Sequence, residues 1–155
     1  MSGTTRALHS EFAEAADSPG RLLWQVTNAW QAAQRAALRP FDLTHVQFVL
    51  LASLTWLADG PPTTQRKLAE FANADPMMTS QVLRTLEAKG LVERLPHPTD
   101  ARARALTVTS AGIELANRAN LAVEYTDHRY FSALGDDRKA FTQMLLRLAR
   151  DATTK

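Results

Sequence analysis

The chain has 155 residues, 17.1 kDa, with 45% hydrophobic and 22% charged residues and a formal net charge of +2. That is the length of one domain with enough apolar content to bury a core, and it excludes wholesale disorder. There is no cysteine, which excludes a disulfide scaffold, Cys-based zinc sites, iron–sulfur ligation and a thiol nucleophile or redox sensor. Residues 1–17 are polar and weakly periodic, and read as a flexible arm with a short helical turn around Phe12. The arm carries Glu11, Glu14 and Asp17 and no apolar run, unlike a secretory leader. Ser18-Pro19 is a helix-start signal, Ser as cap and Pro in the first turn. Leu23, Val26, Trp30, Ala33 and Ala37 then recur at spacings of three and four, which predicts an amphipathic helix ending before Pro40.

Thr44 and Gln47 form a T-x-x-Q capping box. The helix they open, with Val46, Phe48, Val49, Leu50, Leu51, Leu54, Trp56 and Leu57, is apolar around most of its circumference and is expected to be buried on several sides. Its apolar stretch, 46–58, contains Gln47, Ser53 and Thr55 and is too short and polar to span a bilayer. Thr63 or Thr64 caps a short helix to about Asn73, with Leu68, Ala69 and Phe71 turned inward. Asp75 caps the next, with Pro76 at its first position and Gly90 after Lys89 as a terminating glycine. Thr79, Val82, Leu83 and Leu86 form its inner face.

The period then changes. Residues 91–95 read as a strand, and 104–109 alternate and read as its partner, the two joined by the polar, proline-punctuated loop 96–103. Thr109 or Ser110 caps a long helix to about Ala133, Gly135 breaks it, and Phe141, Met144, Leu145 and Leu148 give a last helix its apolar seam. The fold class expected is mainly α with a small two-stranded β-wing: a winged helix-turn-helix between long terminal dimerisation helices. The expected divisions are an arm at 1–17, N-terminal helices at 18–59 for dimerisation and the junction, the winged module at 60–112, and C-terminal dimerisation helices at 113–155.

Two short helices and a hairpin suit DNA, because the major groove admits one α-helix and a wing can reach beside it. On the helix from Asp75, the face opposite the core shows Pro76, Met77, Ser80, Gln81 and Arg84, with Met78 on the flank. Gln81 and Ser80 are candidates for base edges, the methionines for thymine methyl groups and Arg84 for phosphate. The plainer alternative is a helical hairpin with a solvated polar face. In the wing, Arg102 is the candidate for a narrow minor groove and Arg104 for phosphate. Asp100 is placed to orient the loop, either by pairing with Arg94 or by capping backbone amides. Residues 60–112 hold seven Lys/Arg against five Asp/Glu, so the whole formal excess lies in this module.

The run Asp100-x-Arg102-x-x-x-Leu106-x-Val108-Thr109 resembles the D-x-R-x-x-x-L-x-L-T wing signature of the MarR family. Leu68-Ala69-Glu70 and Leu86-Glu87-Ala88-Lys89-Gly90-Leu91-Val92 agree with it, and the resemblance covers about 20–150. It departs at Val108, where leucine is usual, and at Pro76, Met77 and Met78, where small polar or basic residues are common. The resemblance implies a homodimer joined by its terminal helices, two winged modules on an inverted-repeat operator in double-stranded DNA, and a small-molecule pocket between the two regions.

On that frame the chain is expected to be a cytoplasmic transcriptional regulator, a repressor released by a small phenolic or aromatic ligand. Trp24, Trp30, His45, Phe48 and Trp56 are candidate pocket residues, set against a plain core role for the same aromatics. The alternatives are a winged-helix protein-interaction module, or a regulator without an effector. Neither a cofactor nor a metal site is expected, since His9, His45, His97 and His128 make no i, i+4 pair. No catalytic residue is expected either: there is no G-x-S-x-G and no phosphate-binding glycine loop.

Overall fold

The computed structural model describes residues 7–153. Among them, six α-helices and one antiparallel hairpin follow in the order α1 (Pro19–Leu38), α2 (His45–Trp56), α3 (Gln65–Ala72), α4 (Pro76–Ala88), β1 (Val92–Pro96), β2 (Arg104–Val108), α5 (Ser110–Tyr130) and α6 (Arg138–Thr153). Among the described residues, no helix is long and apolar enough to cross a membrane.

Local chemistry sets the helix starts. Ser18 Oγ accepts from the Arg21 N–H, Thr64 Oγ1 from Lys67, Asp75 Oδ1 from Met78 and Thr109 Oγ1 from Gly112, each satisfying an orphan amide of the first turn. Thr44 and Gln47 exchange side-chain and backbone bonds as a complete capping box. α3 stops at Asn73, which adopts the left-handed conformation (φ 50°).

The central helix is α2. Its Phe48, Leu50, Leu51 and Leu54 are buried in a cluster with Leu68 of α3, Leu83 and Leu86 of α4, Val92 and Leu106 of the hairpin, and Ala116 and Ala119 of α5. β1 and β2 pair from Val92↔Val108 to Pro96↔Arg104, and the far edge of β2 is held by the Leu106 N–H donating to the Thr63 carbonyl at 2.7 Å. At the root of the hairpin, a Cβ on Gly112 would stand 2.2 Å from the Leu91 carbonyl oxygen. Glycine there lets the first turn of α5 start hard against the entry to β1.

Three details depart from expectation. The helical turn in the arm lies at Ala15–Asp17 rather than around Phe12, closed by the Glu14 N–H donating to Asp17; residues 1–6 of the arm lie outside the described residues. The long helix ends at Tyr130, and a 3-10 stretch, Phe131–Asp137, carries the chain through Gly135 (φ 51°) into α6. Phe71 is exposed rather than inward. Ala72, a full turn beyond Leu68, packs on the core, and Phe71 at i+3 falls on the rim of a helix too short to cover it.

The ends of the chain are the bare part. Leu23 and Trp24 of α1, Leu121 and Tyr125 of α5, and Met144 and Leu148 of α6 are all more than half exposed, and no described residue of α6 is buried.

Candidate nucleic-acid interface

α4 buries Thr79, Leu83 and Leu86 and half-buries Val82. The face turned away is the one the spacing implies. Pro76, Met77, Gln81 and Arg84 are exposed, Met77 to 75%, with Met78 on the flank. Ser80 is half-buried, and its hydroxyl accepts from the Arg84 guanidinium at 3.4 Å. Arg84 therefore lies back along its own helix in the free chain. The face offers a bidentate amide, two thioethers and a guanidinium, a set able to meet base edges, methyl groups and phosphate.

The wing tip is built from its own side chains. His97 Nδ1 accepts from the Thr99 and Asp100 N–H groups at 3.3 and 3.2 Å, and Asp100 Oδ1 accepts from the Arg102 N–H at 3.0 Å. The Ala103 N–H donates to the Asp100 carbonyl and the His97 N–H to the Ala103 carbonyl, closing the loop. Arg102 and Arg104 are exposed.

Of the two roles open to Asp100, the structure has the backbone cap and not the pair with Arg94. Arg94 shares a face of β1 with buried Val92, so its side chain turns inward, away from the tip. There its Nε donates to Glu87 Oε2 of α4 at 2.9 Å and a terminal nitrogen donates to Gln65 Oε1 of α3 at 3.1 Å. Arg94 thus fastens the wing to the helix pair. Gln65, Glu87 and His97 were not picked out by sequence reasoning. The one available signal was a charged residue on the core face of a strand, which needs a buried partner.

The candidate pocket aromatics divide. Trp30 and His45 meet edge to face with centroids 5.2 Å apart, and Phe48 follows one turn along α2 in the core. Trp24 and Trp56 stand apart, 73% and 82% exposed. The Trp30 indole N–H and the fully buried Gln34 amide both donate to Asp127 Oδ1 at 2.7 Å, tying α1 to α5. Burial pushes the His45 pKa below its ordinary value; Asp127 opposes this and Arg35 adds to it.

The model of the MarR family matches residues 43–103. The HTH-type transcriptional regulator YdcH of Bacillus subtilis is 48% identical over 126 residues, which is 81% of this chain and 86% of that protein. The chain belongs to the MarR family. Among solved MarR-family structures, the Mycobacterium tuberculosis protein Rv2887 in complex with salicylic acid is 32% identical, with a TM-score of 0.66 over 84% of this chain and 96% of its own. The transcriptional repressor CouR bound to a 23-mer DNA duplex is 26% identical, with a TM-score of 0.79 over 92% of this chain and 99% of its own; CouR from Rhodococcus jostii RHA1 is also solved with p-coumaroyl-CoA. As a MarR-family protein the chain is a winged-helix, DNA-binding transcriptional regulator. Its family segment, 43–103, runs from the corner before α2 to the wing tip, so it spans α4 and Arg102.

Proposed function

We propose that this MarR-family protein is a cytoplasmic homodimeric repressor that binds an inverted-repeat operator and is released by a small aromatic acid. The observation that carries the DNA reading is the pairing of an exposed α4 face (Pro76, Met77, Gln81, Arg84) with a wing tip whose own hydrogen bonds present Arg102. α4 enters the major groove, with Gln81 and Ser80 at base edges, Met77 and Met78 against methyl groups and Arg84 on phosphate. Arg102 enters the adjacent minor groove and Arg104 contacts the backbone.

The dimer reading rests on the bare terminal helices. Met144, Leu145, Leu146 and Leu148 of α6, with Leu22, Leu23 and Trp24 of α1, leave an apolar surface that a second copy would cover. The effector reading draws on the salicylic acid and p-coumaroyl-CoA complexes of the two relatives, and the Trp30–His45 pair with Phe48 is its candidate aromatic wall.

Selection of bound duplexes from a random pool tests the reading. Enrichment of an inverted repeat with half-sites about one helical turn apart is expected. A pool that enriches no motif, or a single unrepeated half-site, contradicts it.

A further inference from the structure

The chain has no thiol, so its softest oxidisable side chains are its methionines, Met1, Met77, Met78 and Met144. Two of them are consecutive, and they stand in the first turn of α4. Met77 is 75% exposed and Met78 38%, so an oxidant in solution reaches both. α4 supplies the interior with Thr79, Leu83 and Leu86, and neither thioether is needed there. Asp75 Oδ1 accepts from the Met78 N–H at 2.9 Å, which holds the backbone of that turn independently of both methionine side chains. A change in the sulfur therefore alters the surface of the helix and leaves its start in place. Met144 lies on the face of α6 that a second copy would cover, and Met1 lies outside the described residues.

We infer that Met77 and Met78 form an oxidation site on the reading face, with a hydroperoxide as co-reactant. The thioether sulfur attacks the terminal peroxide oxygen, and the O–O bond breaks as the S–O bond forms. The other oxygen leaves with the proton, as water or an alcohol. Sulfur is oxidised by two electrons and the peroxide is reduced by two. The product is a sulfoxide, which replaces a flexible apolar group with a polar, chiral acceptor. A thioether suits a thymine methyl group. A sulfoxide oxygen is repelled by the acceptors on base edges and by phosphate, and it needs an amino donor instead. Oxidation thus changes the base preference of α4 and weakens its hold on the operator without unfolding the chain. This site rests on the proposed entry of α4 into the major groove, and adds a chemical control to it.

Treatment of the full chain with hydrogen peroxide tests the site, with mass spectrometry to place the added oxygen. Anisotropy on the selected duplex and its single-base variants is the second readout, each protein being compared with its own untreated form. Oxygen is expected first on Met77, and more slowly when the duplex is bound. The treated wild type should lose about tenfold or more in operator affinity, and its preference for thymine at one or two base pairs, with the urea midpoint unchanged. The two methionine sulfoxide reductases, one for each epimer, should restore both. Met77→Leu with Met78→Leu should lose less than about twofold on treatment, whereas Met144→Leu should lose as much as the wild type. The site is refuted if peroxide leaves Met77 and Met78 unmodified, or if the double variant loses as much as the wild type. If the wild type binds and discriminates equally before and after oxidation at both residues, the site falls and the groove reading stands. If the untreated wild type binds no duplex, the groove reading falls and takes the site with it.

Discussion

Arg94 on the first wing strand and Glu87 on the recognition helix are joined by a 2.9 Å charge-assisted hydrogen bond, with each side chain about 30% exposed. Gln65 completes the clamp at 3.1 Å, so the wing, α3 and α4 are held as one body. Partial burial makes such a pair worth more than a solvated one, and removing one partner leaves the other short of a bond. Arg94→Ala should cost about 1–2 kcal/mol of stability in urea denaturation. It should weaken binding to all DNA sequences alike, because the wing loses its register with α4 and no base contact is removed. Arg94→Lys should fail to restore the loss, since an ammonium does not reproduce the fork that reaches Glu87 and Gln65 together.

Gln81→Ala should relax sequence preference at one or two base pairs, by about 1–3 kcal/mol each. Arg84→Ala should instead lower affinity across sequences and reduce the salt slope by about one ion. Competition with single-base operator variants checks both. A Gln81 variant that keeps full discrimination would move base reading to another face of α4.

At the wing, Asp100 acts through the backbone of Arg102. Arg102→Ala should weaken operator and unrelated DNA together and flatten the salt dependence. Asp100→Ala should do part of the same damage, because an uncapped loop must be ordered on binding. The double variant should therefore lose less than the sum of the singles in a double-mutant cycle. An additive cycle would mean that the two residues work independently.

His45 gives a pH prediction. Its pKa is lowered in the folded chain, first by burial and then by Arg35, against Asp127. Below the ordinary histidine value of about 6.5 the unfolded chain binds the extra proton and the folded chain resists it, so stability falls as pH drops through that window. Above it the contribution is constant. His45→Gln should flatten that part of the stability-against-pH curve, measured by chemical denaturation between about pH 5 and pH 8. An unchanged acid limb would assign the loss to other groups.

Much of the fold was legible because it is written in local rules. Ser18, Thr44, Asp75 and Thr109 cap helices in the places their neighbours' spacing implies, and the switch from period three-to-four to period two marks the hairpin. The outer face of α4 followed from its inner one by subtraction. What stayed hidden depends on residues far apart in the chain. Gln65 lies 29 positions from Arg94, and Asp127 lies 97 from Trp30, distances at which no spacing rule operates. Asp100 offered two chemically sensible partners, and only the inward turn of Arg94 decides between them. Trp24 and Trp30 share a helix and a residue type, yet one is bare and the other is bonded to α5.

In the proposed complex, two copies of this chain grip one duplex through α4 and Arg102. Fluorescence anisotropy of the selected duplex, titrated with the protein at several salt concentrations, tests it most directly. Saturation is expected at two chains per duplex, with log affinity falling steeply against log salt, roughly 0.9 per phosphate neutralised. Saturation at one chain per duplex, or an affinity that does not change with salt, would contradict it.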